Sequence, residues 1–239
     1  MKSIKLRTNH YGFSATRIEQ LDSSEYTLVT ISADDSGSVH AFAKDIENCI
    51  AHVARACRHS PRADNLLLRV TTFDNEVREV HGFKPLSSCA SDAYSGCLGR
   101  GGATALYDAA ENAIEATRSY GDTLTTHGYD VNAIAFVITD GMDNTSRSTS
   151  DRLKKEIAAT IANESLSGLT TILVGVGVSD PAVSQYLSDL KKSAGFDHYI
   201  ELGQATEETL AGLADFVSRS IYATSRALGS GGGSISLTF

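Results

Sequence analysis

No apolar run in this 239-residue sequence approaches the roughly 18 consecutive residues that a bilayer span needs. The opening MKSIKLRTNHYGFSATR also lacks the apolar block of a signal peptide. Membrane insertion and secretion are therefore not expected, and a cytoplasmic location is. Basic charge is in short supply: 21 Lys and Arg face 29 Asp and Glu, leaving a net charge of −8. That balance disfavours a chain whose whole surface neutralises nucleic-acid phosphates. Residues 1–17 are the exception, carrying Lys2, Lys5, Arg7 and Arg17 with no acid, hence +4, so that the remainder holds −12. A solvated basic arm accounts for this as simply as an anion contact does. The four cysteines, Cys49, Cys57, Cys89 and Cys97, form no CxxC pair and have no histidine at zinc-like spacing. Reduced thiols in a cytosol fit them, although Cys89 and Cys97 share a loop and could pair where oxidation is favoured.

What remains is an ordinary folding composition, 41% hydrophobic and 21% charged, on a chain long enough for one sizeable core. Short apolar runs alternate with amphipathic stretches, the pattern of an α/β protein. Strands are expected at 26–31 (YTLVTI), 65–73 (NLLLRVTTF), 77–83 (VREVHGF), 133–138 (AIAFVI), 169–176 (LTTILVGV) and 198–202. The tight turn at Asp74-Asn75 sends 77–83 back antiparallel to its predecessor. Helical stripes run through Val39, Phe42, Ile46, Ile50, Val53 and Cys57, then through Leu106, Ala110, Ile114 and Thr117. Further helices are expected at about 150–164, after the Asp180-Pro181 cap, and at 206–228. The sum is a Rossmann-like, open, mostly parallel six-stranded sheet with one antiparallel strand and helices on both faces.

Domain boundaries follow. Residues 1–24 form a basic extension with room for a short strand at Ile4 and Leu6, and 25–228 form the α/β domain. The GSGGGS run opens a segment, 229–239, of linker and β-prone tail, because four glycines in six positions cannot hold a helix. Within it Ile235, Leu237 and Phe239 alternate with polar residues, as in a strand that pairs with a partner or a second copy.

The chemistry lies where open α/β sheets bind ligands, past the carboxyl ends of strands. Asp34, Ser36 and Ser38 follow the first strand as DDSGS, Thr104 stands behind the glycine-rich 84–103 loop, and Asp140 follows the fourth strand in VITDGMDN. Every donor is oxygen. The matching ion is a hard divalent cation, Mg²⁺ before Ca²⁺ or Mn²⁺. Alone, Ser36 and Ser38 would read as helix-capping residues and Asp34 as an Asx-turn residue; Thr104 and Asp140 change that balance. Asp35 and Asp143 either support the set or face water, and Asp108 suits the first turn of its helix in either case.

Asp-x-Ser-x-Ser, a threonine behind a glycine-rich loop and Thr-Asp-Gly, in this order on a βα frame, resemble the von Willebrand factor type A domain over about residues 25–228. The resemblance implies a metal-ion-dependent adhesion site with Ser36, Ser38 and Thr104 as hydroxyl ligands of Mg²⁺ and Asp34 and Asp140 as carboxylates behind them. It further implies a partner protein that supplies an Asp or Glu to the metal, an adaptor role beside other proteins, and no enzymatic activity. A haloacid-dehalogenase-type phosphohydrolase is the enzyme alternative, but it needs a second acid where Ser36 stands and a later lysine that cannot be recognised here. No GxxxxGK[ST] phosphate loop exists, and Gly175-Val-Gly177 lacks the third glycine of a dinucleotide fingerprint. An RNA-binding accessory role would rest on the basic arm alone.

Overall fold

The computed structural model describes residues 1–6, 11–90, 92–163, 165–203 and 206–230, with side chains described as far as 223. Eight strands form one sheet: β1 Lys2–Lys5, β2 Gly12–Ala15, β3 Glu25–Asp34, β4 Leu66–Phe73, β5 Val77–Pro85, β6 Asp130–Thr139, β7 Gly168–Val176 and β8 His198–Leu202. Their order across the sheet is β1-β2-β5-β4-β3-β6-β7-β8. Helices α1 Ala43–Arg58, α2 Leu106–Thr126, α3 Ser150–Ile161, α4 Pro181–Ala194 and α5 Glu207–Ser230 complete the fold.

The expected six strands are all present, and the sheet has two more: β1, where the short strand near Ile4 had room, and β2, which was not expected. Strands β3, β4, β6, β7 and β8 are mutually parallel. β5 returns antiparallel to β4, and β2 lies parallel to β5 while β1 is antiparallel to β2. Two strands, β2 and β5, therefore oppose the main direction, where one was expected. The reason is length: a four-residue strand with two inward side chains, Phe13 and Ala15, leaves no periodicity to read.

Both faces of the sheet are covered, which is why its central strands are continuously apolar. Alternate residues of β6 serve the two sides. Ile134, Phe136 and Ile138 pack with Ile46, Ile50 and Val53 of α1 and with Leu213, Val217 and Ile221 of α5. Ala135 and Val137 face Leu106 and Ile114 of α2, Leu153 of α3 and Leu187 of α4. A third cluster, with Phe13, Tyr26, Leu28, Leu67, Phe83 and Tyr120, fills the space beneath β2. Helix α4 starts as expected, with the Asp180 side chain accepting from the Ala182 amide at 2.8 Å and proline in its first turn. Helix α1 starts later than its apolar stripe suggests, because residues 37–41 form a 3-10 turn that keeps Val39 buried. All four cysteines are free thiols. No helix among the described residues is long and apolar enough to cross a membrane.

One core contact titrates. His81 on β5 shares Nδ1 with the Gly82 carbonyl at 2.9 Å and Nε2 with the Tyr94 hydroxyl at 3.1 Å, an arrangement suited to a neutral ring that donates from Nδ1 and accepts at Nε2. Burial pulls its pKa down to about 4 from an unfolded value of 6.5. Its contribution to stability is therefore complete above pH 6.5 and drains away as pH falls toward 4, because the unfolded chain takes the proton first. The loss should reach about 2–3 kcal/mol at the acid end. In urea titrations the gap between the wild type and His81→Gln should narrow from pH 7 to pH 4.5; a constant gap would mean that the ring does not titrate with folding.

Candidate functional site

The parallel register carries β3 and β6 side by side as far as Ala33 opposite Ile138, so Asp34 and Thr139, the last residues of their strands, emerge together. Asp34 is wholly buried. One of its carboxylate oxygens accepts the Ser36 amide at 2.9 Å, and the other accepts the Thr139 hydroxyl at 2.6 Å. Thr139 in turn accepts the Gly141 amide at 3.2 Å, which orients its proton toward Asp34 and fixes the turn that presents Asp140. The Ser36 and Ser38 hydroxyls stand 3.2 Å apart, and Ser38 donates to Asp140 at 3.1 Å. Four of the five expected residues thus form one row, Asp34, Ser36, Ser38, Asp140, bridging the ends of two strands.

The fifth, Thr104, lies buried on the adjoining loop. Its amide donates to the Asn144 side chain at 2.7 Å and its carbonyl accepts the Asn144 amide at 3.0 Å, so the glycine-rich loop is sewn to the loop after β6. No hydrogen bond among the described residues joins the Thr104 hydroxyl to the row. The glycine-rich loop is also tied to the DDSGS turn, where the Gly37 amide donates to the Gly102 carbonyl at 2.9 Å. Gly101 and Gly102 have φ of +78° and +137°, and a Cβ on Gly102 would stand 2.4 Å from Asn75 Oδ1. Only glycine fits that close approach.

Three neighbouring acids hold loops in place. Asp35 is buried, with Oδ1 accepting the Gly99 and Arg100 amides beneath the glycine-rich loop. Asp108 accepts the Ser148 amide at 2.8 Å and the Arg147 amide at 3.2 Å. Asp143 accepts the Ser146 hydroxyl and the Tyr107 amide. Thr139 is the residue that pattern reading undervalued: it lies within the Thr-Asp-Gly run, but its role depends on which strand lies alongside.

Burial pushes the Asp34 carboxyl up to about 6, more than its hydrogen bonds from Thr139 and Ser36 pull it back, and the nearby Asp140 charge adds to the rise. Asp140 is raised by burial as well. Neither forms an ion pair with any described residue. The row is thus an all-oxygen set, buried at Asp34 and Ser36 and open to solvent at Ser38, with two acids and no counter-cation among the described residues, which fits a hard divalent ion and offers nothing to a soft one. No group of three or more His, Cys, Asp or Glu side chains suited to a metal occurs among the described residues, so any ion here would depend on the hydroxyls.

A groove of about 830 Å³ lies elsewhere, lined by Ile4 and Ala15 of the edge strands, by Ile18, and by Tyr120, Thr123 and His127 around the C-terminal end of α2. It is at the far end of the helix whose first turn adjoins the site.

No protein-family profile matches the chain, and no curated protein matches it by sequence. Solved structures do. A mutant of the PilB minor pilin from Streptococcus sanguinis is similar with a TM-score of 0.61 at 12% identity, over 91% of this chain and 66% of that one. The pilus adhesin SpaC from Lactobacillus rhamnosus GG is similar with a TM-score of 0.57 at 10% identity, over 82% of this chain and 31% of that one. A von Willebrand factor type A protein from Catenulispora acidiphila is similar with a TM-score of 0.55 at 16% identity, over 84% of this chain and 43% of that one. The chain spans less than two thirds of each of these proteins. At such identities the likeness is one of fold, and the fold is von Willebrand factor A-like.

Proposed function

We propose that this chain is a protein-interaction module, an adaptor rather than an enzyme, that docks an acidic side chain of a partner at a divalent cation. The observation that carries this reading is the row of Asp34, Ser36, Ser38 and Asp140 at the carboxyl ends of parallel strands, with no counter-cation among the described residues. Asp34, Ser36, Ser38, Thr104 and Asp140 would hold Mg²⁺, with Ca²⁺ or Mn²⁺ as substitutes. Held largely by neutral hydroxyls, such an ion keeps much of its charge uncompensated and offers a position to a carboxylate from outside. The chain's own part is to fix the hydroxyls, through Asp34 on the Ser36 amide and Gly102 on the Gly37 amide, and to keep water from the buried side of Asp34. The adhesin and minor-pilin neighbours support an interaction role by their names, although those names describe the neighbours.

Magnesium titration in a calorimeter tests the reading. Binding is expected in the wild type, with Ser36→Ala/Ser38→Ala weakening it at least about tenfold, a loss of about 1.4 kcal/mol. Magnesium at 100 times its dissociation constant should also raise the unfolding free energy by about 2.7 kcal/mol, and chelator should remove the gain. Absence of any magnesium-dependent heat or stabilisation would end the proposal. No turnover of a phosphate monoester is expected.

We also propose self-association or partner docking through the C-terminal tail. Ile235, Leu237 and Phe239 lie outside the described residues; the outer edge of β1, which pairs only with β2 among the described strands, is the surface such a tail would extend. Removing residues 229–239 should lower the mass seen by light scattering; an unchanged mass would dispose of self-association.

A further inference from the structure

The glycine-rich loop that touches the Ser36–Ser38 turn carries an exposed arginine. The glycine-rich loop is pinned from beneath by Asp35, whose carbonyl accepts the Gly101 amide at 3.1 Å and whose carboxylate accepts the Gly99 and Arg100 amides. The backbone of Arg100 is therefore fixed while its side chain is exposed. It stands two residues before Gly102, whose carbonyl touches the turn between Ser36 and Ser38. Exposed His40 lies beside it, with Nε2 3.3 Å from the position of a Cβ on Gly101. The other side of the row is the loop after β6, where Gly141, at which a Cβ would lie 4.0 Å from Ser38 Oγ, leads to Met142, 38% exposed, between the half-buried acids Asp140 and Asp143.

Arg100 differs from Arg78. Arg78 is occupied by Asp74 at 2.8 Å and Glu76 at 3.3 Å. Among the described residues no carboxylate pairs with Arg100, and Asp35 beneath it is turned inward onto backbone amides. With its backbone already held, Arg100 has less freedom left to lose on meeting a ligand, and a guanidinium matches a carboxylate bidentately.

We infer that the docking segment is an acidic peptide with two neighbouring carboxylates, one for the cation and a second taken by Arg100. This rests on the metal reading above. The Met142 side carries Asp140 and Asp143, which repel a further acid, so the second carboxylate is placed on the Arg100 side of the first.

Two peptides test the inference on the full chain, one with a single glutamate among glycines and one with two adjacent glutamates, titrated by NMR in millimolar Mg²⁺ and in EDTA. The twin acid should bind about three- to fivefold tighter than the single acid, beyond its statistical factor of two, as expected of an exposed ion pair. Arg100→Ala should remove that excess and leave the single-acid affinity unchanged. If both peptides bind in Mg²⁺ with equal affinity once the statistical factor is removed, or if the excess survives in Arg100→Ala, the inference is wrong and the metal reading stands. If neither peptide binds in Mg²⁺, the metal reading fails and takes the inference with it.

Discussion

Glu79→Gln should destabilise the fold by about 3–5 kcal/mol, more than the removal of its partner Arg69, because the charge left behind differs in where it sits. Arg69, on β4 in the middle of an apolar strand, is 0% exposed. Its Nε donates to Glu79 Oε1 at 2.8 Å and its Nη2 to Asn112 Oδ1 of α2 at 2.9 Å. Burial pulls the guanidinium pKa down, and Glu79 opposes that pull. Without the Glu79 carboxylate, an arginine with no route to solvent is left uncompensated. The Glu79 side chain, by contrast, is 23% exposed and also accepts the Ser14 amide and hydroxyl. It can therefore be solvated when Arg69 is gone, and Arg69→Met, which keeps much of the volume, should cost only about 1–2 kcal/mol. Urea denaturation of both single variants and of the double variant measures the asymmetry and the coupling. Equal losses in the two singles would show that the site is evenly solvated. A Glu79→Gln loss below that of Arg69→Met would reverse the argument.

Arg69 also marks the limit of what periodicity can convey. The run NLLLRVTTF is legible as a strand because apolar and β-branched residues outnumber the exception, but nothing in the run says that the arginine points inward. Its partner lies on β5 and its second acceptor on α2. The parallel core was readable for a related reason: strands such as AIAFVI, covered on both sides, must be apolar throughout, and the stripes of α1 and α5 on one face and of α2, α3 and α4 on the other supply the cover. β2 fell below that threshold. GFSA has two inward residues, and their burial depends on Phe83 and Tyr120, which are far away in sequence.

The candidate site divides in the same manner. Asp34, Ser36, Ser38, Thr104 and Asp140 stood out because three oxygen-rich clusters follow three elements in order, while their assembly into a row depends on the β3–β6 register. Asp35 shows the converse. An acid in DDSGS looks like a solvated neighbour, yet it is buried under the glycine-rich loop, because amides freed by four positive-φ glycines at 96, 99, 101 and 102 need an acceptor. Such a demand can be met by any nearby carboxylate, so sequence alone cannot nominate which.

The edge that periodicity missed also yields the second large effect. In Gly82→Ala, the new Cβ would stand 1.9 Å from the Ser14 carbonyl oxygen and 2.2 Å from its hydroxyl, far inside van der Waals contact. Gly82 is in the strand that carries β2, and a backbone carbonyl cannot rotate out of the way as a side chain can. β2 meets β5 at a single pair, Ala15 opposite Phe83, so the contact has no second rung to hold it while the first is displaced. Beyond the Ser14 amide and hydroxyl bonds to Glu79, which the methyl group would itself disturb by displacing Ser14, its ties are the Thr16 amide and hydroxyl on the Phe83 carbonyl at 2.8 and 3.1 Å, the Tyr120 hydroxyl on the Thr16 carbonyl at 2.9 Å and the burial of Phe13 against Phe83 and Tyr120. Together these hydrogen bonds and the phenylalanine amount to about 3–5 kcal/mol. One methyl group is therefore expected to undock β1 and β2 while leaving the five parallel strands paired. Hydrogen exchange should show the Thr16 amide losing its protection in Gly82→Ala with the amides of β6 unchanged, and proteases should cut within residues 1–20. Gly203→Ala, where a Cβ meets nothing within 4 Å, serves as the control and should leave both readouts alone. If Thr16 stays protected in Gly82→Ala, β5 has shifted to accept the methyl group, and the edge ribbon is held by more than the single rung and its aromatic anchor.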